Sequence, residues 1–115
     1  MSRFRVGKRK SRRTKMVVPV RVRLVGAKSA EGAQIAHTLD ANESGVRLGG
    51  FRGELDSGDV IEIQHRHERA TFRVVWVRAM ENSSEKQIGA ECVEADKNIW
   101  GQEFRHPEDE YEEKE

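Results

Sequence analysis

This chain of 115 residues has one cysteine, two prolines, seven aromatic side chains and no long apolar run. With Cys92 alone, no internal disulfide framework is possible, which points to a reducing compartment, the cytoplasm. A membrane-spanning helix is excluded, because no apolar stretch approaches the ~20 residues it needs. The basic start is followed only by a short apolar run at residues 16–20, with Arg21 and Arg23 close behind, so a signal peptide is not expected. The few aromatics form no evident row of stacking positions, and nucleic acid is therefore not the expected partner. No internal repeat and no sustained heptad is present. Val, Ile, Leu and Phe total 25, enough for one small core, and most lie between Met16 and Trp100.

Charge is present in quantity and unevenly placed. The 21 basic and 20 acidic residues leave a formal sum of +1. Residues 1–30 hold eleven basic and no acidic side chains; residues 31–102 hold eight and thirteen; residues 103–115 hold two and seven. Such asymmetry speaks about partners more than about fold. Three parts are expected: a flexible basic arm (residues 1–15), a folded body (16–105) and an acidic disordered tail (106–115).

The body reads as strands. Val18, Val20, Val22 and Leu24 alternate with Pro19, Arg21 and Arg23, the period of a strand with one wet face. Further strands are expected at residues 34–39, 46–48 (ended by Gly49-Gly50), 60–64, 70–80 and 88–93, separated by polar turns. Residues 94–104 suggest a short helical turn. Six short strands without a long amphipathic helix indicate an all-β barrel, whose closure leaves no edge exposed. On the fifth strand, Phe72, Val74 and Trp76 share one face and Val75 and Val77 the other. Both faces are apolar, so periodicity leaves open whether Trp76 is packed in the core or lies beneath a ligand. Trp100 is expected to cap an open barrel end, and Cys92 to be a small core residue.

Nothing pairs a nucleophile with a base, so no enzyme is expected. His65 and His67 lack the third and fourth ligands a metal site needs and read as part of a solvated hairpin tip. Asp40-x-Asn42-x-Ser44-Gly45 opens like a calcium loop, but its twelfth position is Phe51, not Glu. That turn says more together with the arm. Arg9 and Arg13 stand four apart just before the first strand. Arginine forks bind phosphate oxygens, donate to guanine O6 and N7, or stack on the base. A short carboxylate or amide accepts from guanine N–H groups, and Gly45 permits a positive φ and close backbone approach.

Arg9-Lys10-Ser11-Arg12-Arg13 and Asp40-Ala41-Asn42-Glu43-Ser44-Gly45 resemble the R-x-x-x-R and D/N-x-S-x-x-G motifs of PilZ domains, small β-barrel receptors for cyclic di-GMP, with Asn42 in place of the family's Ser. Val46-Arg47-Leu48, residues 55–63, Val74-Val75-Trp76-Val77 and Gly89-Ala90-Glu91-Cys92-Val93 extend the resemblance over about residues 9–101. It implies a non-catalytic module without a cofactor, whose ligand is cyclic di-GMP. Arg9 and Arg13 would contact guanine and phosphate, with Arg12 auxiliary. Asp40 and Asn42 would supply polar contacts in the turn and Gly45 clearance. Ligand binding would order the arm and signal to a separate, unidentified effector protein. The alternatives are a degenerate PilZ-like module that binds protein and not nucleotide and, ranked lower, a small nucleic-acid-binding barrel.

Overall fold

The computed structural model describes residues 14–26, 32–95 and 97–101. Most of the basic arm and the acidic tail lie outside them. Seven strands follow one another: β1 (Thr14–Lys15), β2 (Pro19–Leu24), β3 (Ala33–Ala41), β4 (Gly45–Arg52), β5 (Val60–His65), β6 (Glu68–Ala79) and β7 (Glu85–Cys92). All pairings are antiparallel, in the order β1-β3-β2-β5-β6-β7-β4, and β3 also pairs with β4. Strands β2 to β7 thus close into a six-stranded barrel with β1 as an extra strand. No helix among the described residues is long and apolar enough to cross a membrane.

The alternation of β2 works as the sequence suggests: Val20, Val22 and Leu24 are buried while Arg21 and Arg23 are exposed. They meet Leu48, Phe51, Ile61, Ile63 and Ile88, all fully buried, in a single core. β1 and β2 run along the same edge of β3, separated by residues 16–18. The buried Thr38 bridges this break. Its hydroxyl accepts from the Val18 N–H at 2.9 Å and donates to the Met16 carbonyl. Backbone groups that would otherwise lose a ladder partner are thereby satisfied.

Several expected boundaries change: β1 falls within the expected flexible arm, β3 takes in Asp40 and Ala41 of the expected turn, and β7 starts at Glu85 within the expected loop. β4 does not end at Gly49-Gly50 but runs on to Arg52, with a register shift between Leu48 and Phe51. The glycines admit the His37 ring against the strand: a Cβ on Gly49 would stand 2.9 Å from His37 Nε2. Residues 94–101 carry no helix where described, and the remainder of the expected helical turn falls outside the described residues. Side chains there serve the backbone instead. Glu94 accepts the Thr71 N–H at 2.6 Å and Asn98 Oδ1 accepts the Trp100 N–H at 2.9 Å, while Ile99 and Trp100 are drawn into the barrel.

His65 also departs from expectation. The hairpin turn comprises only Arg66 and His67, and His65 is 6 % exposed. Its Nδ1 lies 2.8 Å from the Ile99 carbonyl, and its ring leans on Trp100 at 5.6 Å between centroids. Trp100 also meets Phe72 at 6.4 Å. Local polarity suggested solvent, but the returning chain covers this position. Cys92 is half-buried against the core.

Candidate functional site

The turn after β3 is built by Asn42. Its Oδ1 accepts from the N–H groups of Ser44 at 3.0 Å and Gly45 at 2.7 Å, while its own N–H donates to the Gly45 carbonyl at 2.9 Å. This is an Asx turn, and the Asn42 oxygen expected to face a ligand is engaged with the chain's own backbone. Gly45 opens β4 opposite Glu91 and is buried. It is not among the residues with positive φ, so the left-handed conformation anticipated for it does not occur.

Asp40 lies inside β3 rather than in the turn. It pairs with Lys15 on β1 and Arg47 on β4, and its Oδ2 accepts from Arg47 Nη2 at 2.6 Å. The Asp40 side chain is 10 % exposed and that of Arg47 is 42 % exposed. A carboxylate held this deep anchors a guanidinium that still reaches solvent.

The register continues across the barrel wall. Arg47 stands opposite Gly89 on β7, and Gly89 opposite Trp76 on β6. Lys15, Asp40, Arg47, Gly89 and Trp76 therefore form one outward-facing row over five strands. Trp76 belongs to it because of a β-bulge: Val74 pairs with Ala90 and Trp76 with Gly89, so two residues of β6 advance for one of β7. The bulge turns Trp76 outward and returns Val77 to the core side. The simple alternation that grouped Trp76 with Phe72 and Val74 is overturned there. Val75, the inserted residue, is exposed.

The Trp76 indole lies directly on the Gly89 backbone, where a Cβ would come within 2.2 Å of its Nε1. Arg78 stands over the ring at 5.8 Å. Beside them a hollow of about 230 Å³ is lined by Ser44, Gly45, Val75, Trp76, Gly89, Ala90 and Glu91. Glu91 is neutralised locally by its ion pair with Arg73.

Of the residues singled out from sequence, Asp40, Asn42 and Gly45 are thus gathered at one end of this face. Arg9, Arg12 and Arg13 lie outside the described residues. Thr14, the first described residue, pairs with Ala41, which precedes Asn42. Sequence reasoning did not select Arg47 or Gly89. Arg47 had a signal, since it alternates with the buried Val46 and Leu48 and must face outward beside the turn. Gly89 had none until its cross-strand partner was known. The chain matches no family model and no curated protein.

Proposed function

We propose that this protein is a non-catalytic receptor domain of the PilZ type that binds cyclic di-GMP on the face carrying Asp40, Arg47 and Trp76. The observation that carries the reading is the pairing of Thr14 and Lys15 with Ala41 and Asp40. It brings the end of the basic arm to the flank of the turn that the resemblance associates with it. The row then offers a ligand what such a dinucleotide requires. Arg47 and the arm's arginines supply cations for phosphates and donors for guanine, and Trp76 supplies an aromatic plane. In this reading Arg9, Arg12 and Arg13 clamp the ligand, Asp40 orients Arg47, and the Asn42 turn shapes the wall of the hollow. A dianionic ligand would neutralise the arm and dock it on the barrel, presenting a changed surface to an effector protein.

Calorimetric titration with cyclic di-GMP tests this. Each lost charge-assisted contact is worth about 1.5–3 kcal/mol, so Arg9→Ala/Arg13→Ala should weaken binding by at least about tenfold. No heat from the wild type, or equal heats from both proteins, would refute it.

One observation favours a second reading, a PilZ-like module that binds protein alone. Asn42 stands where the family has Ser, and its oxygen is bonded to Ser44 and Gly45. Absence of any ligand-dependent amide shift at Asp40, Arg47 and Trp76 would decide for that reading.

A further inference from the structure

The wall of the barrel opposite this face carries a second feature. In the closed strand order the β2–β5 seam lies across the barrel from the β4–β7 seam. On its outer surface Arg21 stands opposite Ile35 on one side and Gln64 on the other, and Gln64 opposite Arg69. Arg66 follows in the hairpin turn. Between them is a hollow of about 200 Å³ lined by Pro19, Val20, Arg21, Ile35, Gln64 and Arg66.

The arginines here differ from most others on the barrel, Arg78 over the Trp76 ring being the exception. Arg23, Arg47, Arg52 and Arg73 are each paired with a carboxylate: Glu62, Asp40, Glu85 and Glu91. Among the described residues, Arg21, Arg66 and Arg69 have no such partner. The nearest acid on β5, Glu62, is taken by Arg23, and Glu68 stands opposite His65, one position out of phase with the Gln64–Arg69 row. Ile35, at the edge of the hollow, is 61 % exposed. Unpaired guanidinium groups around an exposed apolar side chain are the composition of a docking surface for an acidic segment.

We propose that the occupant is this chain's own acidic segment, residues 103–115. Three observations select it. Its seven carboxylates against two basic side chains complement the three arginines. Its point of departure lies at the β5–β6 hairpin end of the barrel, because Ile99 and Trp100 are held by the buried His65, whose neighbour Arg66 lines the hollow. Its thirteen residues reach up to about 45 Å, well beyond what the hollow requires. Tyr111, set among Glu110, Glu112 and Glu113, provides an amphipathic side chain to cover Ile35. Tethering makes the contact intramolecular, at an effective concentration of order millimolar, so individually weak ion pairs suffice.

Amide NMR of the full chain tests the proposal. The comparison is with a full-length variant carrying Glu108→Gln, Asp109→Asn, Glu110→Gln, Glu112→Gln and Glu113→Gln. The expected result is a set of shifts centred on Arg21, Ile35, Gln64 and Arg66, present at about 0.05 M salt and collapsing at about 0.5 M, where screening is short-ranged. Arg21→Glu/Arg66→Glu should abolish the same set, with unchanged melting showing that both variants fold. No difference on this wall, or differences confined to Thr14, Lys15, Asp40 and Asn42, would overturn it. The second pattern would assign the segment to the basic arm. If a synthetic peptide of residues 103–115 perturbs the wall only when added in trans, the surface serves another chain's acidic segment, and the intramolecular assignment fails.

Discussion

Gly89 is the residue on which the geometry of the candidate site most directly depends. The Trp76 indole rests where a side chain at position 89 would be, its Nε1 only 2.2 Å from the place a Cβ would take. Gly89→Ala therefore leaves the barrel's ladder intact but must lift the ring from its seat. In a Trp100→Phe background, which isolates Trp76, the emission of Gly89→Ala should shift to the red as the indole gains solvent. Affinity for the proposed ligand, cyclic di-GMP, should fall with little change in melting temperature. An unchanged spectrum would mean that the ring does not use that seat in solution. Thr38 makes the complementary case, where one hydroxyl holds structure. Thr38→Val keeps the shape but leaves the Val18 N–H and the Met16 carbonyl without their shared partner. The cost should be about 1–3 kcal/mol, read as a lower denaturation midpoint in urea.

At the scale of elements, alternation in β2 marked Val20, Val22 and Leu24 as core, and those residues are buried. It could not place Trp76, because both faces of β6 are apolar and a bulge changes the phase between Val74 and Trp76. A bulge is a property of two strands: whether β6 has one residue too many depends on its register with β7. The same limit explains β4. Gly49-Gly50 reads locally as a strand end, yet β7 on one side and His37 of β3 on the other carry the strand through to Arg52. The segment after β7 is tied back by Glu94, whose carboxyl is held below its ordinary value of 4.5, first by the backbone N–H of Thr71 and then by the Thr71 hydroxyl. Because the folded value is lowered, this contribution to stability is complete above the ordinary value and is lost as pH falls through the folded one. Glu94→Gln, which keeps an acceptor but cannot titrate, should flatten the acid limb of melting temperature against pH. Parallel limbs for the two proteins would refute the contribution.

For the whole molecule, closure decides which charges become neighbours. The formal sum of +1 conceals a basic arm, an acidic body and a more acidic segment beyond Gly101. The barrel distributes them over two walls. One receives the arm through β1, beside Asp40 and Arg47. The other displays Arg21, Arg66 and Arg69. Arg9→Ala/Arg13→Ala should weaken binding of the proposed ligand, cyclic di-GMP, without lowering the melting temperature, since the six strands that close the barrel are all formed by residues 19–92. A cooperative loss of stability would instead make the arm structural.

The class of fold, the approximate strands and the turn at residues 42–44 were all legible in the order of residues. Side-chain period, turn chemistry and charge are local properties, each written in a few consecutive positions. Folding was needed to establish that Trp76 faces outward over Gly89, that Asp40 holds Arg47, that His65 is buried beneath the returning chain, and that Arg21, Arg66 and Arg69 share one wall without carboxylate partners. Each of these is a relation between residues far apart in the chain. Such a relation exists only once strand register has been set and the barrel has closed.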